Sequence, residues 1–292
     1  MNLFIYFVNS LIIINRINNI FFQSQYNIHM NSVNSIKAFL LDMDGTFYLG
    51  DHLLPGALKF LKLLNQRQVP FSFLTNNSSR NSEEYKRKLI DLGVNTDDAR
   101  VFTSGDATAR YLKERTIYKQ IYLVGTPSLK EIFKAQGFIL SEASPDAVVL
   151  GFDMTLTYSK LRILCDHLRN GVPFIATHPD VNCPTPTGFI PDIGSMIAMI
   201  KTSTGREPDL IIGKPNRLIV DMLAESMGVI VEDCAMVGDR LYTDIALGKT
   251  SGVTSILVLS GETKIEDISG SGFQPDHVFR DLLELSKAFQ KS

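Results

Sequence analysis

From Ile36 onward the chain alternates short apolar runs with stretches whose apolar residues return every three or four positions. The run Ile36–Leu41, cut off by Asp42-Met43-Asp44-Gly45, predicts a strand buried on both faces, as in a parallel sheet. Pro55-Gly56 opens a helical stretch carrying Leu58, Leu61, Leu63 and Leu64, and Phe71–Leu74 predicts a second strand, stopped by Thr75-Asn76-Asn77. Glu83–Leu92, ended by Gly93, and Ala107–Glu114 read as helices. A second set follows: strands Ile121–Val124, Ala147–Gly151 and Phe174–Thr177, and helices from Thr126-Pro127 to Gly137 and over Ser159–Asn170. A Pro-rich loop, Pro179–Pro191, leads to a helix over Ser195–Thr204. After Pro208 the first pattern resumes with strands Leu210–Ile212, Cys234–Val237 and Ser255–Leu259, a helix over Arg217–Met227, and another running through Ala246. Strand and helix in this rhythm predict an α/β fold, a parallel sheet with right-handed crossovers. The expected division is a core of residues 35–116 and 207–292 with an inserted α/β unit at 117–206.

Residues 1–30 differ in kind. Met1–His29 has no Asp, Glu or Lys and one charged residue, Arg16, and its apolar runs Leu3–Val8 and Leu11–Ile14 are split by Asn9 and Ser10. It lacks the basic start and continuous apolar centre of a signal peptide and is too interrupted for a membrane span. Translated upstream sequence before a working start at Met30 accounts for it; a weak targeting segment and an ordered piece of the fold stay open. We expect an extension outside the fold.

Composition narrows the function. An apolar fraction of 45% with 21% charged residues excludes a disordered or multispan membrane protein. A formal charge of −2 leaves no basic excess for a nucleic-acid backbone. Cys165, Cys183 and Cys234 are far apart and odd in number, which speaks against a disulfide framework or zinc site and suits a reducing, cytoplasmic setting.

The chemistry sits at predicted strand ends, where open α/β sheets hold ligands. Asp42, Asp44, Asp239 and Asp244 converge there, and carboxylates so crowded repel unless a cation lies among them. Hard oxygen donors with room for water and phosphate suit Mg²⁺. Gly45 permits a tight turn whose N–H groups face an anion. Asp42 can attack phosphorus as a nucleophile, while Asp44 protonates the leaving oxygen and then activates water. Thr75, Asn76 and Asn77 offer donors to phosphoryl oxygens, and Lys214, between Gly213 and Pro215, can neutralise developing charge and hold Asp42. Asp239 is the expected direct metal ligand and Asp244 a more distant one. Each motif alone also fits a capping residue or a solvated lysine; together they occur in one order, each at a strand end.

Leu40-Leu-Asp-Met-Asp-Gly-Thr46, Leu74-Thr-Asn-Asn77, Gly213-Lys-Pro215 and Gly238-Asp-Arg…Thr-Asp244 resemble the four motifs of the haloacid dehalogenase-like superfamily. Ile175-Ala-Thr-His-Pro-Asp180, Pro191…Gly194-Ser195 and Gly205-Arg-Glu-Pro208 resemble its NagD and 4-nitrophenylphosphatase group. The resemblance implies a Rossmann-like core with a large α/β cap between the second and third motifs, Mg²⁺ dependence, phosphatase activity on a small phosphorylated metabolite, and the Asp44 backbone carbonyl in the metal shell. It is compatible with a homodimer. The chain departs from the group at His178 and Asp192. His178 and Asp180 are candidate substrate contacts, with locally satisfied loop residues as the alternative, and the same choice holds for Asp192 and for Asn77–Asn81. A non-catalytic phospho-ligand module is the rival reading, but it predicts loss of Asp42, Asp44 or Lys214, and all are present. A receiver domain is half this length and uncapped, and no P-loop motif occurs. Deleting Met1–His29 is expected to leave activity and soluble yield unchanged, compared directly in the two purified proteins.

Overall fold

The computed structural model describes residues 33–185 and 187–290; the expectation for residues 1–30 lies outside them. Two parallel sheets carry the fold. The larger has six strands in the order His277–Phe279, Thr254–Val258, Cys234–Gly238, Ala38–Leu41, Phe71–Thr75, Val101–Thr103. The smaller has five, in the order Leu210–Ile211, Phe174–Ala176, Ala147–Leu150, Gln120–Val124, Ile139–Leu140. Helices pack on both, as parallel strands buried on two faces require.

Ala38–Leu41 shows why the apolar run had to be a central strand. Its four residues are all buried, and alternate side chains serve different layers. Phe39 and Leu41 join Phe60, Leu64 and Phe289 on one face, whereas Ala38 and Leu40 join Leu74, Ile219 and Met236 on the other. Phe39 meets Phe60 and Phe289 edge to face at ring distances of 5.2 and 5.4 Å. The second layer runs without a break into Leu112, Ile121 and Leu129, so the two sheets share one apolar seam.

Local chemistry sets the helix starts. Asn81 and Thr103 each form a capping box, with Glu84 and Asp106, and Thr126 caps a helix with Pro127 in its first turn. The polar stretch before Glu83 is therefore in part a helix start.

Three expectations change. Leu210–Ile211 does not resume the first sheet but forms an edge of the five-stranded one. Asp209 fixes it there: its N–H donates to the Phe174 carbonyl and its carboxylate accepts from the Phe174 N–H, both at 2.7 Å. The Pro-rich segment is a hairpin, Asn182–Thr185 against Gly188–Pro191. A two-stranded ribbon has open edges, so the missing proline N–H groups leave no carbonyl stranded. The edge strands Val101–Thr103 and His277–Phe279 and the helix Leu282–Gln290 went unpredicted. Among the described residues no helix is long and apolar enough to cross a membrane.

Phe39→Ala is expected to lower stability by about 3–5 kcal/mol, through lost burial and a cavity between two rings that cannot collapse together. Urea melts of the two proteins, with unchanged slope and a lowered midpoint, check it.

Candidate active site

The six-stranded sheet reverses its winding between Ala38–Leu41 and Cys234–Gly238. Such a switch point opens a crevice beyond the carboxyl ends of the two strands. Leu41 is in register with Val237 on one side and Phe73 on the other. Asp42, Asp239 and Thr75 therefore emerge close together, and Asp42 N–H donates to the Val237 carbonyl at 2.9 Å.

Lys214 reaches in from the loop after the other sheet. Its ammonium donates to Asp42 Oδ1 at 2.5 Å and to Asp244 Oδ1 at 2.7 Å, and it is 3% exposed. Asn76 holds its backbone from both sides: Oδ1 accepts from Lys214 N at 2.8 Å, and Nδ2 donates to Lys214 O at 2.9 Å. The Asn76 amide also donates to Asp180 Oδ1 at 2.9 Å. Thr75 Oγ1 accepts from the Asn77 N–H at 3.1 Å. Asp239 accepts from Thr46 Oγ1 at 3.3 Å and from the Glu262 N–H at 2.7 Å. Asp44 lies beside them and accepts from the Tyr48 hydroxyl at 3.4 Å.

The carboxylate oxygens of Asp42, Asp239 and Asp244 can all come within 4.8 Å of one another, and all three residues are buried. Burial drives the Asp42 carboxyl well above the ordinary range; Lys214 opposes the shift, and Asp244 and Asp239 reinforce it. Burial and then Asp244 lift Asp239 to about 6. Asp44 is also raised, by burial, against the pull of Lys88 and Arg240. For Lys214, burial favours the neutral amine, but Asp244 and Asp42 outweigh it and hold the ammonium. One ammonium among three buried acids leaves negative charge uncompensated, and oxygen-only donors fit a hard divalent cation such as Mg²⁺. Glycines make this crowding sterically feasible: a Cβ on Gly238 would lie 2.2 Å from Asp244 Cγ, and one on Gly45 2.4 Å from Asp239 Oδ2. Gly45 has φ +87, and its N–H donates to the Tyr48 carbonyl at 2.9 Å, so that N–H does not face an anion as expected. Its service is to let Asp239 approach.

Asp42 and Asp44 face a narrow cavity of about 40 Å³, lined with them by Thr75, Asn76, Asn77 and Lys214 from one side and Asp180, Cys183, Pro184 and Asp192 from the other, with Arg240. A larger open groove of about 480 Å³ beside Leu58 and Asn95 holds none of these groups. Arg240 escaped the sequence reading, because an arginine following an acid resembles a solvated charge. Its side chain is largely buried and joins Glu262 Oε2 at 3.1 Å and Asp180 Oδ2 at 3.6 Å. Cys183 also went unnoticed; burial, Asp192 and Asp44 push its thiol up to about 12. His178 is fully buried and absent from the cavity lining. Both its nitrogens have protein partners at 3.0 Å, Thr177 Oγ1 at Nδ1 and Asp192 Oδ1 at Nε2.

A family model described as haloacid dehalogenase-like hydrolase matches residues 39–139, and one described as HAD-hydrolase-like matches residues 211–285. The chain is 36% identical to an acid sugar phosphatase of Staphylococcus saprophyticus, over 89% of this chain and all of that one. It is 33% identical to the 5'-nucleotidase YutF of Bacillus subtilis, over 86% of this chain and 98% of the other. Among solved structures, a 4-nitrophenylphosphatase from Thermotoga maritima superposes with a TM-score of 0.87 at 53% identity, covering 90% of this chain and 100% of that one. NagD of E. coli superposes with a TM-score of 0.79 at 32% identity, covering 85% and 98%. With buried acids at a sheet's switch point, both family models in their sequence order and full-length relatives on either side of one-third identity, the chain belongs to the haloacid dehalogenase-like hydrolases.

Proposed function

We infer that the protein is a Mg²⁺-dependent phosphatase that hydrolyses small phosphomonoesters through an aspartyl-phosphate on Asp42. The observation that carries this reading is the Lys214 ammonium, in the wall of the cavity, bound to both Asp42 and Asp244. It aims the Asp42 carboxyl and opposes the upward pull of burial on it, as a nucleophile requires. The names of relatives such as acid sugar phosphatase, 5'-nucleotidase and 4-nitrophenylphosphatase support the substrate class.

Asp42 attacks phosphorus, forming the new O–P bond as the leaving-group oxygen departs. Asp44, beside it in the cavity and raised by burial, delivers a proton to that oxygen. The same carboxylate then takes a proton from the water that cleaves the aspartyl-phosphate and releases inorganic phosphate. Thr75 and Asn77 line the cavity where phosphoryl oxygens gather charge, and Lys214 neutralises it. Asp42, Asp239 and Asp244, with the Asp44 backbone carbonyl, would hold Mg²⁺, which when bound offsets the charge of the phosphoryl group and of the acids themselves. The unit built on the five-stranded sheet, 117–206 with the added strand Leu210–Ile211, acts as a cap that excludes bulk water, contributing Asp180, Cys183 and Asp192 to the wall.

Asp42→Asn is expected to reduce turnover of 4-nitrophenyl phosphate by at least about 10³-fold while the circular dichroism spectrum stays unchanged; activity within tenfold of the parent would place the nucleophile elsewhere. Treatment with a chelator is expected to abolish hydrolysis and added Mg²⁺ to restore it; undiminished activity in excess chelator would remove the metal from the reading.

A further inference from the structure

Beyond the phosphoryl centre, the charged groups lining the cavity are two acids, Asp180 and Asp192, and one base, Arg240. Arg240 is already engaged, with Glu262 at 3.1 Å and Asp180 at 3.6 Å. Asp192 has no arginine or lysine partner among the described ion pairs; its one ion-pair neighbour is His178. Its Oδ1 accepts from the Ile193 N–H at 2.7 Å and lies 3.0 Å from His178 Nε2.

Whether His178 neutralises Asp192 follows from the direction of a hydrogen-bond chain. The Phe152 N–H can only donate, and it does so to Ser78 Oγ at 2.9 Å. Ser78 has one further partner, Thr177 Oγ1 at 3.0 Å, so its hydroxyl proton points there. The Thr177 hydroxyl proton then points to His178 Nδ1 at 3.0 Å. Ser104 Oγ, 3.4 Å from the same nitrogen, gives its own proton to the Asn76 carbonyl. Every group in the chain is satisfied with Nδ1 accepting from Thr177 and a ring proton on Nε2 directed at Asp192, and we take that tautomer. The chain ends on the Asp192 carboxylate in the cavity wall, at the N-cap of the helix Ile193–Thr204. That helix end would otherwise favour an anion, and Asp192 already occupies it.

We propose that Asp192 sets the charge preference of the leaving-group pocket, so that the protein selects phosphomonoesters with a neutral, hydroxyl-rich or cationic leaving group and rejects those bearing a carboxylate or a second phosphate. Asp180 adds to the same field, and with the Asn77 amide the two acids offer acceptors and a donor to hydroxyl groups. His178 acts through Asp192 as a positioning residue. The inference rests on the phosphatase reading and adds the class of ester to it.

Three two-carbon esters differing only in terminal charge test it: 2-aminoethyl phosphate, 2-hydroxyethyl phosphate and 2-phosphoglycolate, assayed for kcat/KM in excess Mg²⁺ with 4-nitrophenyl phosphate alongside. The parent protein is expected to use the amine and the alcohol at least about tenfold better than the carboxylate, as a full charge repelled across a partly solvated cavity requires. Asp192→Asn, which keeps both acceptor bonds at Oδ1, is expected to shrink that ratio to within about threefold, and Asp192→Ser to do the same. A ratio between substrates does not depend on how much of a variant folds. A flat series in the parent, a preference for phosphoglycolate, or an unchanged ratio in both variants overturns the inference, as does hydrolysis of 4-nitrophenyl phosphate with none of the three esters. Failure to hydrolyse any of the four overturns the phosphatase reading itself and the inference with it.

Discussion

Asp42, Asp239 and Asp244 are buried with ligand oxygens within 4.8 Å of one another, where like charges repel far more strongly than in water. Several features of the core answer that repulsion. Lys214 crosses from the loop after the smaller sheet to bridge two of the acids, and Asn76 fixes its backbone at both the N–H and the carbonyl. The Glu262 N–H and Thr46 hydroxyl reach Asp239, and the Arg240 N–H reaches Asp244 at 3.1 Å. Glycines stand where any side chain would force the carboxylates apart. A folded core that assembles this much negative charge has a physical reason to take up a divalent cation. The site and its proposed metal are in that sense one structural unit.

The parts of the site carried by the core strands were legible because three physical signals coincide there. Ala38–Leu41, Phe71–Thr75 and Cys234–Gly238 are apolar enough to be central strands, and each is cut off by a polar residue. The sheet's reversal then brings those endings together. Asp42, Thr75, Asp239 and Asp244 follow from that logic, whereas Lys214 arrives from the loop after the smaller sheet.

What was not legible depends on tertiary partners. Arg240 draws its meaning from Glu262, 22 positions on, and from Asp180, across the cavity. The prolines of 179–191 suggested a loop, and only pairing of Asn182–Thr185 with Gly188–Pro191 shows a ribbon that presents Cys183 and Pro184 to the site. Leu210–Ile211 has the same apolar character as a core strand, and the Asp209–Phe174 bonds decide which sheet receives it. Gly45 was rightly seen as a turn, yet its N–H serves the neighbouring hairpin and its missing side chain serves Asp239. His178, in a motif that suggested contact with substrate, lies behind the wall and supports Asp192.

The cavity of about 40 Å³ has room for little more than a water molecule or two. With Asn76 and Arg240 both holding Asp180, the two walls are tied together at that residue. Anything larger than a water or two reaches Asp42 only when the hold on Asp180 is released, so these two contacts set how readily the cavity opens.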